Sequence, residues 1–210
     1  MHITWHGNYT IKIQVGEKII VIDPHGNDGK LAAFRGKADI VALTNPTDQN
    51  MSTISGIQGE PLVLGTPGEY SGVGFTLNAL GWHDADNHER SIQRWEIERM
   101  IVLHLGALEN RELTTEELQH LETTTIDIMF LPVGGGSGLS TKAALKLLTT
   151  IEPRMVIPIN YAVGNTNEKL DGVEQFAKEM GLQPTETEKK LLIKANKLPE
   201  DAMQTVLLSP

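Results

Sequence analysis

Cysteine is absent from the 210 residues, which removes disulfides, thiolate metal sites and cysteine nucleophiles together. Aromatic residues are scarce at 5%, so Val, Ile, Leu and Ala must carry the packing, with Trp5, Trp82 and Trp95 as isolated large pieces. No apolar run approaches the ~18 residues that would span a bilayer, and the opening residues lack the basic and apolar regions of a secretory signal. A soluble, cytoplasmic protein with no membrane partner is expected. Positive charge is also short: 18 Lys and Arg stand against 27 Asp and Glu, a formal charge of −9. Arg90, Arg94 and Arg99 lie close together, but Glu89, Glu96 and Glu98 are interleaved with them, as on a solvated edge. No basic stripe can neutralise a phosphate backbone, so nucleic acid is not an expected partner.

What is present is enough apolar sequence, 40%, for one substantial core, and a single domain over residues 1–210 is expected. His2 to Val15 alternates polar and apolar residues, then Gly16-Glu17-Lys18 turns into the apolar strand Ile19 to Ile22. Ile40 to Leu43, Leu62 to Leu64 and Phe75 to Leu80 read as strands, with Gly65 to Tyr70 as a turn. Glu96 to Leu103 reads as one strand, and Ile126 to Leu131 and Met155 to Ile159 as buried ones. Helices are expected over Thr114 to Leu121, with Glu116-Glu117 in the favourable first turn, over Thr141 to Thr149, and over Val173 to Met180, stopped by Gly181. One or two closing strands fit Leu191 to Leu208. Hairpins first and strand-helix-strand units later predict a layered α/β sandwich.

Four buried strands, ending at Ile22, Leu43, Leu103 and Ile159, run into polar or Gly-rich loops. Convergent strand ends hold loop side chains rigidly while leaving them open to solvent, so a shared cleft is expected there. The Gly134-Gly135-Gly136-Ser137-Gly138 loop before a helix could cradle an anion through backbone N–H groups. It lacks the lysine and spacing of a phosphate-binding loop, so its expected role is to let the chain pass closely over the cleft.

Several segments together resemble one family. Ile3-Thr4-Trp5-His6-Gly7, Ile22-Asp23-Pro24, Ala38-Asp39-Ile40-Val41, Pro67-Gly68-Glu69-Tyr70, Trp82-His83-Asp84, His104-Leu105-Gly106, Phe130 to Gly135 and Glu152 to Pro158 follow in order over nearly the whole chain. They resemble the branch of the metallo-β-lactamase superfamily related to the ascorbate-phosphate lactonases, often described only as zinc-dependent hydrolases. The resemblance implies a four-layer αβ/βα sandwich. It also implies two metal ions at one edge, where a bridging hydroxide attacks an ester, lactone, amide or phosphodiester. Such a site needs neutral imidazoles and carboxylates at fixed strand-end positions, to hold the ion and lower the pKa of its bound water.

The ligand positions implied by the resemblance are largely replaced. The family's His-x-His-x-Asp-His loop corresponds to Asn45-Pro46-Thr47-Asp48-Gln49-Asn50. Aligned without a gap, the ligands become Asn45, Thr47, Gln49 and Asn50; shifted by one, Asp48 keeps the aspartate role and Gln49 replaces the last histidine. The family's Gly-Asp is Gly106-Ala107, the histidine of its Ile-Pro-Met-His-Tyr signature is Asn160, and a histidine near the start is Asn8. His83 and His104 remain, as a weak metal site if Asp23, Asp48 or Asp84 joins them or as structural leftovers hydrogen-bonded near the cleft. Asp23, before a proline at a strand end, suits backbone hydrogen bonding in the adjoining loops. Glu69 is a general-base candidate or a solvated carboxylate.

Substitution of the ligands by neutral polar groups predicts a polar, wet cleft over Asn8, Asp23, Asn45, Thr47, Asp48, Gln49, Asn50, His83, His104 and Asn160. The first expectation is a non-hydrolytic binding or assembly protein with no metal cofactor, a small polar ligand and a possible homo-oligomeric state. The alternative is a hydrolase with one zinc or other divalent ion on His83, His104 and an aspartate, with His83, His104 and Asp48 as catalytic candidates. A third is an oligomer scaffold with an idle cleft.

Overall fold

The computed structural model describes residues 1–29, 31–121, 123–164, 169–182 and 187–210, without the side chains of residues 48–50. Strands β1 (His2–Trp5), β2 (Ile11–Val15), β3 (Lys18–Ile22), β4 (Ile40–Ala42) and β5 (Leu62–Leu64) join β12 (Leu191–Leu192) in one mixed sheet, in the order β12-β1-β2-β3-β4-β5. The second sheet contains β6 (Gly68–Gly72), β7 (Phe75–His83), β8 (Glu89–Ile97), β9 (Met100–His104), β10 (Ile128–Pro132), β11 (Met155–Ile159) and β13 (Gln204–Thr205). Its order is β13-β11-β10-β9-β8-β7-β6. The helices are α1 (Asp48–Ile54), α2 (Thr115–Leu121), α3 (Thr141–Ile151) and α4 (Val173–Glu179).

Side-chain alternation divides the layers. On β3, Ile20 and Ile22 enter the cluster between the sheets, whereas Ile19 and Val21 face an outer cluster with Phe34, Ile57 and Ile54 of α1. On the far side, Ala144 and Leu148 of α3 and Phe176 of α4 pack against the second sheet. The result is the expected four-layer αβ/βα sandwich. All five residues of β10 and of β11 are buried, which is why these parallel strands read as unbroken apolar runs.

Four local expectations change. The alternating stretch from His2 to Val15 is two strands, because His6 to Thr10 forms a turn in which Gly7 and Asn8 take positive φ. Gly68 to Tyr70, the latter half of the Gly65 to Tyr70 stretch read as a turn, instead belongs to edge strand β6, which pairs with Phe75 to Ala79 of β7. Glu96 to Leu103 is a hairpin: Glu98 and Arg99 have φ of 50° and 65°, the primed turn that matches strand twist but is normally signalled by Asn or Gly. The polar loop after β4 turns into α1, with the Thr47 carbonyl accepting from Met51 N–H.

Candidate functional site

The ends of β3, β4 and β9 and the β1–β2 turn meet at one rim. They enclose a cavity of about 190 Å³ lined by Asn8, Tyr9, Asp23, His25, Thr44, Asn45 and Ala107, closed by Pro24. Asp23 takes φ 46° as the chain leaves β3, and both its oxygens meet Thr44 at the end of β4. Oδ1 accepts from the Thr44 N–H at 2.7 Å and Oδ2 from its hydroxyl at 2.6 Å. This is the backbone-tying role expected of an aspartate before proline. Burial pushes the Asp23 carboxyl up to about 6, against the lowering effect of the Thr44 hydrogen bonds and the Arg90 charge.

His104 ends β9 beneath this cavity and is fully buried. Its Nδ1 accepts from the Gly106 N–H at 3.0 Å, and its Nε2 lies 2.9 Å from the Tyr9 carbonyl, so the Nε2–H tautomer is assigned from its partners. Burial lowers its pKa to about 4, against the raising effect of the Tyr9 bond. Asp23 Oδ2 is 3.9 Å from Nδ1, but the imidazole is neutral, so the approach is not an ion pair. Gly106 makes the close contact possible: at φ 62°, a Cβ there would lie 2.3 Å from the Thr44 hydroxyl.

Asn160, 2% exposed and at φ 50°, terminates β11. Its Nδ2 donates to the Tyr9 hydroxyl at 2.8 Å, and its backbone N–H donates to the Asn8 carbonyl at 3.1 Å. Tyr9 therefore holds His104 through its carbonyl and Asn160 through its hydroxyl. Asn8, at φ 44°, gives its side-chain amide to Asp28 at 2.9 Å. Gly134 passes so closely over this end of β11 that a Cβ would sit 2.2 Å from the Asn160 carbonyl oxygen, which fits the close-passage role expected of the glycine loop.

The predicted residues are only partly brought together. Asn8, Asp23 and Asn45 line the cavity, while His104 and Asn160 lie behind it, joined through Tyr9. Thr47 stands outside the lining, at the entrance to α1. His83 is exposed at the end of β7, opposite Glu89, and forms no hydrogen bond or ion pair among the described residues. The side chains of Asp48, Gln49 and Asn50 lie outside the described residues. Asp84 is committed elsewhere, accepting from the backbone of Asp86 and His88 and from the Arg90 guanidinium. Glu69 is exposed and accepts from the Asn78 amide. Sequence reasoning missed Tyr9, Thr44 and His25, whose Nδ1 lies 2.8 Å from the Thr10 hydroxyl. The adjacency of Tyr9 to Asn8 was the available signal.

These residues do not fit a family-type zinc pair. The only lone pair on neutral His104 receives the Gly106 N–H, and the Asp23 oxygens are engaged by Thr44. Among the described residues no group of three or more His, Cys, Asp or Glu side chains could hold a metal ion, and amide oxygens are poor zinc ligands beside imidazole.

A fold of two mixed sheets flanked by helices, with a polar cleft at one rim, defines a class, and comparison with known proteins agrees with it. The family model described as the β-lactamase superfamily domain matches residues 2–160. The chain belongs to this superfamily. It is 26% identical to a UPF0173 metal-dependent hydrolase of Pyrococcus abyssi, across 68% of this chain and 65% of that protein. It is also 26% identical to a UPF0173 metal-dependent hydrolase of Bacillus mycoides, across 77% of this chain and 85% of that one. Among solved structures, a candidate zinc-dependent hydrolase of the metallo-β-lactamase superfamily from Thermotoga maritima superposes with a TM-score of 0.79, at 23% identity and 99% coverage of both chains. An isothiocyanate hydrolase from Delia radicum gut bacteria gives a TM-score of 0.70 at 14% identity, covering 93% of this chain and 100% of that one. Among the described residues no helix is long and apolar enough to cross a membrane.

Proposed function

We propose that this chain is a metal-independent member of the superfamily whose rim cleft binds a small polar ligand and does not hydrolyse it by the family's metal route. The supporting observation is His104. The imidazole retained at a family position uses one nitrogen on Tyr9 and the other on Gly106, so the residue that would anchor an ion serves as a brace. The cavity is small and combines one carboxyl group, Asp23, with the amides and hydroxyls of Asn8, Tyr9, Thr44 and Asn45, a lining suited to a hydroxyl- or amide-bearing metabolite.

The deciding experiment is metal analysis of protein purified without a histidine tag and equilibrated with Zn²⁺, Mn²⁺ or Fe²⁺, alongside His83→Ala. Substoichiometric metal in both forms is expected, with thermal stabilisation by a polar metabolite identifying the ligand through linkage. Stoichiometric metal that His83→Ala removes would overturn the reading. It would favour the alternative, a single-ion hydrolase built on His83, His104 and an aspartate, for which the description of the relatives as metal-dependent hydrolases speaks. A defined oligomer with no ligand response would instead point to the scaffold role.

A further inference from the structure

Each sheet ends in strands that pair on one side only, and three of these edges are brief: β12 and β13 have two residues each and β5 has three. The remaining edge, β6, has five residues, and all but Tyr70 are exposed. An open strand edge is a template for another chain, and proteins commonly guard it with lysine, proline, a bulge or brevity. Gly68-Glu69-Tyr70-Ser71-Gly72 carries no such guard. We propose that β6 pairs antiparallel with β6 of a second copy about a two-fold axis at Tyr70, joining the second sheets of two chains into one. No residue of the cleft takes part, so this interface is independent of how the cleft is read.

The backbone sets which groups remain open. Gly72 and Phe75 flank the two-residue turn Val73-Gly74 and pair with each other. A pair closing so short a turn exchanges hydrogen bonds, and by alternation so do Tyr70 with Leu77 and Gly68 with Ala79. The N–H and C=O groups of Glu69 and Ser71 therefore point out of the sheet. With Tyr70 on the axis, Glu69 of each copy lies opposite Ser71 of the other, and each such pair exchanges both of its outward backbone hydrogen bonds. An axis at Glu69 keeps the same alternation but sets two carboxylates face to face, and an axis at Ser71 sets the Glu69 carboxylate against apolar Val73.

The side chains suit the same register. Gly68, Tyr70 and Gly72 share a face with Leu77 and Ala79, which are buried between the sheets. Half-buried Tyr70 packs against that core, and on the axis two Tyr70 rings meet as a cross-strand aromatic pair. Gly68 and Gly72, which flank the axis and face each other across it, bring no side chain to clash. Val73 is 93% exposed at the turn and falls opposite half-buried Pro67 of the other copy, which covers an apolar side chain that a single chain leaves in water. On the outer face Glu69 accepts from the Asn78 amide of its own sheet and meets only the Ser71 side chain across the axis, so no like charges are opposed. The net charge of −9 on each copy resists association at long range, and added salt should therefore tighten the dimer.

The test is sedimentation velocity of the full chain over a wide concentration range, with residue-resolved amide hydrogen exchange at a dilute and a concentrated point. A reversible dimer is expected, with the Glu69 and Ser71 amides exchanging freely when dilute and protected when concentrated. Ser71 is exposed and lies opposite Thr76 in its own sheet, so its charge can be changed without disturbing the fold. Ser71→Lys, placed opposite Glu69 of the other copy, should tighten the dimer about fivefold, and Ser71→Glu should weaken it by about as much. Val73→Asp, at an almost fully exposed position, should also weaken it. A chain that stays monomeric throughout would leave β6 to a strand from a different protein and overturns the proposal. So does a dimer in which the Glu69 and Ser71 amides stay unprotected, or one that Ser71→Lys and Ser71→Glu do not shift in opposite directions.

Discussion

Two polar patches lie side by side on the same rim, and they differ in what their donors and acceptors are used for. The first, around Asp23, Thr44, His104, Tyr9 and Asn160, is made of residue types associated with catalysis, yet its key atoms hydrogen-bond to one another. The second, at the start of α3, is made of Gly, Ser, Thr and Lys, and among the described residues its buried Thr141 hydroxyl has no hydrogen-bond partner. Capacity to bind follows from the partners a group still lacks, not from its residue type. Gly134 joins the patches: its N–H donates to the Asn160 carbonyl, and its own carbonyl accepts from Asp171 N–H.

The sharpest way to break the comparison is to remove the brace. His104→Ala should cost about 3–5 kcal/mol in chemical unfolding, because a buried ring is deleted and the Tyr9 carbonyl and Gly106 N–H lose their partner. A loss below about 1 kcal/mol would mean that the first patch is no network. Gly134→Ala comes next, at about 3 kcal/mol, since its Cβ would lie 2.2 Å from the Asn160 carbonyl oxygen and 2.8 Å from the Tyr161 Cα. Both obstacles are backbone and cannot rotate away. This variant should also disturb the amide spectra of both patches.

Asp23 and His104 make opposed contributions to pH dependence. The Asp23 carboxyl is raised from 3.8 to about 6, so its contribution to stability is present below the unfolded value and is lost as pH rises through about 6. The His104 imidazole is lowered from 6.5 to about 4, so its contribution is present above the unfolded value and is lost as pH falls towards about 4. Between those limits the two slopes oppose each other, and the wild type should vary little on their account. Asp23→Asn leaves the histidine slope alone, so its stability should fall markedly as pH drops from 6.5 towards 4; unfolding titrations that show no added slope would count against the assignment. The smallest effect belongs to the second patch. Thr141→Val should leave stability unchanged or up to about 1 kcal/mol higher, since the hydroxyl it removes has no hydrogen-bond partner among the described residues. A clear loss in thermal unfolding would reveal an internal bond and weaken the contrast.

Where local pattern and tertiary role agree, the fold was legible. Ile19 to Ile22, Ile40 to Leu43 and Met155 to Ile159 are buried apolar runs, and each lies where a strand was expected. The misreadings have local causes. Gly68-Glu69-Tyr70-Ser71-Gly72 is rich in turn residues and pairs along one edge only, and Glu98-Arg99 adopts a turn its side chains do not announce. A structural task for Asp23 was equally legible, because an aspartate before proline at a strand end suits hydrogen bonding to the adjoining loop backbone. The part played by Tyr9 was not, because its partners His104 and Asn160 stand 95 and 151 residues away.

By itself the sequence determined the aliphatic core and the family resemblance, since each is a matter of residue type, order and spacing. Only the tertiary structure decided that His104 is a brace, that His83 stands apart from it, and that the glycine loop passes tightly over the end of β11. Hydrogen bonding depends on which atoms come within about 3 Å at the right angle, and for residues so distant along the chain that is set by how two sheets stack.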